Sequence, residues 1–260
     1  MGSQAAQNQL WSRGADDWAA IQEGTVEDCY RYVLEYLPAL KDKRVLDIGC
    51  GSGLFCHLAQ TRDAIVTGMD ASDGLIAAAR KRNARVEFSV GEMERLPFDD
   101  EAFDLVCGFN SFQFAANPLN AFAEARRVLK PGGTLVAMIW GEREDCEAAT
   151  FLKALGGLMP STMPPGAGPF ALTSDRKLEN LIGQAGFTIH HQVDRENAWI
   201  YPDQDTALRG LLSAGPAAAA IAHSGEERVR TELRQSMQPF VKPDGRVIYR
   251  NKFRIVIAKK

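Results

Sequence analysis

The chain has 260 residues, enough for one large α/β domain or a core domain with a sizeable insertion. Apolar residues make up 45% and charged residues 24%, the balance of a globular chain rather than a disordered one. The net charge of −3, without a long basic run, argues against a nucleic-acid partner, and no apolar stretch approaches the roughly 20 residues of a membrane helix.

Leu10, Trp11 and Trp18 are too apolar for a free tail and are expected to pack over something. The spacing of Val26, Cys29, Val33 and Leu37 predicts a helix over 25–38, with Thr25 as its cap. From Arg44 the texture changes to short apolar runs that alternate with helix-like segments. Strands are expected at 44–49, 65–70, 86–90, 104–109 and 134–140. Helices are expected at 54–62, 74–83 and 118–129, the last stopped by Lys130-Pro131-Gly132-Gly133. Such alternation predicts a parallel sheet covered by helices on both faces. Residues 156–169 are rich in Gly and Pro and read as an irregular loop. A helix at 175–185 with Gly186 as cap, a strand at 187–193, helix at 203–240 and a strand at 252–258 complete the chain. The expected division is an N-terminal helical cap, residues 1–40, over the ligand site, a core of residues 41–194 and 251–260, and a helical insertion, residues 195–250, that covers the substrate.

The five cysteines form no CxxC pair and no Cys/His spacing suited to a metal. No metal site is expected, and reduced thiols suit a cytoplasmic protein.

The run VLDIGCGSG places Gly49, Gly51 and Gly53 between the first strand and the first helix. Glycines there permit φ > 0 and let a ligand touch the backbone. A dinucleotide loop is spaced G-x-G-x-x-G, whereas this one is G-x-G-x-G, with Leu54 where the third glycine would fall. Asp47, two residues before the first glycine, would repel a pyrophosphate. S-adenosylmethionine (SAM) has no phosphate but carries an ammonium and a sulfonium, which a buried carboxylate favours. Asp70, at the end of the second strand, is placed to accept bonds from both ribose hydroxyls, as either cofactor class requires.

Four segments in order, VLDIGCGSG, GMDAS, GEMERLPFDDEAFD and RVLKPGG, resemble the motif series of class I SAM-dependent methyltransferases, in the branch that includes ubiquinone-biosynthesis-type enzymes. The resemblance spans roughly residues 44–140. It implies a doubly wound, seven-stranded Rossmann-like sheet of order 3-2-1-4-5-7-6 with the last strand antiparallel. It also implies methyl transfer from SAM, leaving S-adenosylhomocysteine (SAH). Asp47, Gly49, Cys50 and Gly51 would lie at the methionine end of the cofactor, Asp70 at the ribose and Ala71 against the adenosine. Glu92 and Met93 would lie at the adenine, and Phe109 near the methyl group. Many relatives have a histidine pair where this chain has Gln113 and Phe114.

Methyl transfer needs alignment and exclusion of water more than a base. His223, Gln113 and Glu142 are the candidates for orienting or deprotonating an acceptor. His57, His190 and His191 read as structural. Among aromatics, Phe112 and Trp140 are the leading acceptor contacts because both follow strand C-termini. Trp11, Trp18, Phe114 and Tyr201 are further pocket candidates. A small, partly apolar or aromatic acceptor is expected, with no nucleic-acid or membrane partner, and the oligomeric state stays open. The alternatives are a non-catalytic SAM/SAH binder and, more remotely, a nicotinamide-dependent oxidoreductase.

Overall fold

A computed structural model describes residues 2–159 and 168–260. Seven strands form one sheet: β1 Arg44–Ile48, β2 Ile65–Asp70, β3 Glu87–Val90, β4 Phe103–Phe109, β5 Leu129–Trp140, β6 Thr188–Tyr201 and β7 Val247–Lys259. Their order is β3-β2-β1-β4-β5-β7-β6. Strands β1–β5 pair in parallel, and β7 is antiparallel to both its neighbours. The expected order and the antiparallel last strand are both present.

The inner strands are buried on both faces, and the period of two divides their side chains between two cores. Val45, Cys107 and Val136 face the helices Glu27–Tyr36 and Leu54–Gln60. Leu46, Ile48, Val106 and Leu135 face the helices Pro118–Val128 and Lys177–Gln184. Asp47 alternates onto the same face as Val45.

Several boundaries differ from the sequence reading: β5 begins at Leu129 rather than Thr134, and the helix expected over 203–240 is three, Gln204–Leu212, Gly215–Ser224 and Glu226–Met237. The helix expected from Thr25 begins at Glu27, after a tight turn over Glu23–Val26. The Thr25 hydroxyl donates back to the Gln22 carbonyl (2.7 Å) instead of capping the helix. Strand β6 continues through Asp194-Arg195-Glu196-Asn197 to Tyr201, and β7 starts at Val247. The segment between β6 and β7 is therefore 202–246 rather than 195–250. An edge strand tolerates charged residues along its outer positions, and that polar stretch masked the alternation. Much of the loop expected at 156–169 lies outside the described residues. Among the described residues, no helix is long and apolar enough to cross a membrane.

Candidate active site

A cavity opens at the C-terminal ends of the strands. One wall is the turn after β1. Gly49, Gly51 and Gly53 all have positive φ, at 71°, 55° and 80°. Space as well as conformation requires the first two. A Cβ on Gly49 would stand 2.3 Å from the Ser111 Cβ, and one on Gly51 would stand 2.7 Å from Glu23 Oε1. The Gly49 and Cys50 N–H groups both donate to the Met69 carbonyl, at 2.7 and 3.0 Å, which ties the turn to β2.

Three acids surround this turn. Asp70 lines the cavity, where its carboxylate accepts the Gly51 N–H (3.0 Å) and the Ser72 N–H (2.9 Å). Burial nevertheless pushes its carboxyl up to about 6. Asp47 lies behind the turn and is 2% exposed. Its Oδ2 accepts the Cys56 thiol (3.5 Å), and its Oδ1 has no partner. Burial, reinforced by the negative charges of Glu23 and Asp70, pushes it up to about 8. Glu23 comes from the N-terminal segment. It accepts the Ser52 N–H (2.8 Å) and the Ser52 hydroxyl and pairs with Arg82. Burial raises its carboxyl even so. Arg82 also donates to the carbonyls of Ser52 (2.8 Å) and Ala19 (2.7 Å).

The roof is aromatic and arrives from the N-terminus. Residues 18–22 form one π-helical turn, a local widening that recurs at functional sites. It brings Trp18 over the turn, with Nε1 3.3 Å from where a Gly51 Cβ would stand. That N–H is buried and unpartnered. Trp11 packs edge-on against Trp18 and Phe114, with centroids 5.0 and 5.6 Å apart. Trp140 and Trp199 form the far wall, edge-on at 5.2 Å.

These groups suit a cationic nucleoside. Three carboxylates face one guanidinium, so a bound positive charge relieves their mutual repulsion. The orphaned Asp47 Oδ1 and Trp18 N–H supply an acceptor and a donor. A pyrophosphate would meet the acids instead.

Comparison with known proteins agrees. Residues 46–137 match the methyltransferase domain family. A malonyl-[acyl-carrier protein] O-methyltransferase of Erwinia pyrifoliae is 30% identical over 220 residues, covering 81% of this chain and 76% of its own. The chain belongs to the class I SAM-dependent methyltransferases. The enzyme of the same name from Geobacter sulfurreducens is 28% identical over 245 residues, 90% of each chain. At the level of fold, it resembles a geranyl diphosphate C-methyltransferase from Streptomyces coelicolor A3(2), crystallised with SAH. That match has a TM-score of 0.55 and 17% identity, and covers 90% of this chain and 75% of the other. The methyltransferase uses SAM as its cofactor.

Of the residues singled out in the sequence, the methyltransferase places Gly49, Gly51, Asp70, Ala71, Met93, Phe109 and Trp140 on the cavity wall. Trp11, Trp18 and Phe114 join them. Cys50 is buried, its thiol turned toward the Gly51 carbonyl at 3.8 Å. Glu92 is engaged elsewhere, accepting the N–H groups of Gln4 (2.8 Å) and Glu94 (3.1 Å).

Five candidates for the acceptor side lie off the cavity wall in this structure. The Phe112 ring is wholly buried and stacks on Phe122 at 4.3 Å, because the short helical turn over 112–114 rotates it inward. Gln113 is buried behind the wall, its Nε2 3.5 Å from Asn110 Oδ1. Glu142 is turned to Arg254 at 3.5 Å. His223 is exposed in the last turn of its helix, whose start supplies Pro216 to the cavity instead. Tyr201 also leaves the wall, donating its hydroxyl to Gln22 Oε1 (2.8 Å).

Sequence reasoning missed Glu23, Gln22, Tyr30, Phe151 and Trp199. Only Trp199 carried a signal, as an inward position of β6 once that strand is extended.

Proposed function

We propose that this methyltransferase acts on a small molecule held in the cavity beside the cofactor. The observation that carries the reading is that the glycine turn and the aromatic wall of Trp140 and Trp199 bound one continuous cavity. SAM supplies a methyl group already activated by the sulfonium charge. The protein's part is to hold, orient and keep dry.

In this reading Gly49, Cys50 and Gly51 present backbone to the methionine end, and Asp47 acts from behind them as a buried carboxyl that ionises when the cationic donor binds. Asp70 keeps spare lone pairs for the ribose hydroxyls, since each oxygen accepts one backbone N–H. Ala71 and Met93 flank the base, while Glu92 secures the N-terminal helix that covers it. Phe109, packed on Tyr30 and Phe55 at 4.7 and 4.5 Å, forms a rigid floor near the reacting carbon. Residues 2–36 act as cap and 202–246 as acceptor cover. Five buried, unpaired thiols agree with a reducing cytoplasm.

The test is calorimetric titration with SAH, followed by SAM turnover on a panel of small phenols, amines and thiols read out as SAH release. Binding and turnover on small acceptors are expected. Methylation confined to tRNA or to a protein extract would sink the proposal.

A further inference from the structure

We infer that the acceptor is an uncharged molecule with a flat apolar body, and that the cavity discriminates against carboxylates. The inference rests on the preceding reading that donor and acceptor share this cavity.

The wall contains no cationic side chain. Among the described residues, no Lys, Arg or His lines the cavity. The remaining residues, Met1 and 160–167, contain none of these types, so every basic side chain of the protein is accounted for. The one formally charged residue on the wall is Asp70. Behind it stand Asp47 and Glu23, and the single guanidinium nearby, Arg82, is committed to Glu23, Ser52 and Ala19. This excess of acidic over basic groups suits the donor, whose positive charge draws the proton off Asp47, while Asp70 alone already leaves the wall without a cation to meet an anion. An acceptor carboxylate would leave water for a site that offers no partner and adds repulsion, and an unpaired buried charge is costly.

The neutral groups tell the same story. At the end of β4, Asn110 has φ 52°, a conformation uncommon outside glycine, held by its N–H bond to the Met138 carbonyl (2.7 Å). It lines the cavity beside Ser111, whose hydroxyl is buried and unpartnered. An amide and a hydroxyl can orient one hydroxyl, thiol or neutral amine. Around them Trp11, Phe114, Trp140, Phe151 and Trp199 offer ring faces and edges to a planar body. The malonyl-[acyl-carrier protein] enzymes act, by their name, on a group with a free acid, so the inference separates this chain from those relatives.

The experiment titrates SAH-loaded protein with 2-naphthol and with 2-naphthoate at pH 7.5. SAH lacks the sulfonium, so the preference read is the protein's own. Naphthol should bind at least about tenfold more tightly. A Gln7→Lys variant, with one cation on the wall, should narrow or reverse that ratio. Equal or tighter binding of naphthoate, binding of neither probe, or a ratio unmoved by Gln7→Lys would overturn the inference. Failure of SAH itself to bind would strike the preceding reading instead.

Discussion

Asp47 shows how one buried side chain couples protonation, stability and cofactor. Its carboxyl, ordinarily near 3.8, is held up to about 8 in the folded protein. Between those values the folded chain keeps a proton that the unfolded chain has lost. Stability therefore falls as pH rises through that window, and the loss is complete above about 8. Asp47→Asn should gain on wild type as pH goes from 5 to 8 in urea unfolding, and a parallel pH response of the two proteins would refute the assignment. A cationic donor favours the ionised carboxylate, so SAM binding near pH 6.5 should release a proton. Calorimetry in two buffers of different ionisation heat would detect it. The same variant should bind SAM about tenfold or more weakly, one unfavourable unit of pKa being worth about 1.4 kcal/mol. Gly49→Ala combines a left-handed backbone with a Cβ 2.3 Å from Ser111. It should lose about 1–3 kcal/mol of stability and most SAH affinity. Asp47 and Asp70 were legible in the sequence because a strand end followed by glycines fixes where a side chain goes. Glu23 was not, because a lone acid in a Gly-Thr stretch has no local signature, and only the tertiary fold brings it to Ser52.

At the scale of elements, the N-terminal segment is fastened through Glu23, with Arg82 and Ser52 as its partners. Removing Arg82 leaves Glu23 buried without its mate. Arg82→Ala should free residues 3–26, visible as faster trypsin cleavage at Arg13 and weaker SAH binding, while unchanged cleavage would count against a latch. A second charged cluster joins the end of the sheet. Arg254 is 9% exposed and bonds Asp194 (2.9 and 3.0 Å) and the Thr173 carbonyl (3.2 Å), with Glu142 and Glu179 at 3.5 and 3.8 Å. Arg254→Ala should cost about 3 kcal/mol in chemical denaturation, since Glu179 is itself buried. This cluster explains why β6 was read short. Asp194 and Arg195 look like a loop until Arg254 on the neighbouring strand supplies the partner that makes charge acceptable there. The acceptor wall was hidden for a related reason. A three-residue helical turn after β4 decides whether Phe112 or Phe114 faces the cavity, and one residue's rotation is below what periodicity resolves.

For the whole molecule, strand order followed from motif resemblance, and the five parallel strands followed from alternation alone. A cap over the cofactor and a cover over the acceptor were expected; what escaped was which residues make the contact, Glu23 on the glycine turn and Leu211 and Pro216 on the cavity wall. Because cap, core and insertion all border one cavity, ligand binding should act on the entire fold. SAH at a hundred times its Kd should add about 2.7 kcal/mol of stability and raise Tm by several degrees. A Tm unmoved by saturating SAH would argue that these parts are not coupled through the site.

Strand β7 lies between β5 and β6, paired with β6 along its length and with β5 over Phe253–Lys259. During synthesis, β5 and β6 emerge long before the residues that join them. Until Lys259 has cleared the ribosome, the apolar flank of β5 offers a free ladder to any passing strand. The interval between the synthesis of β6 and the docking of β7 is thus when this chain is most exposed to mispairing, and when a chaperone would matter most.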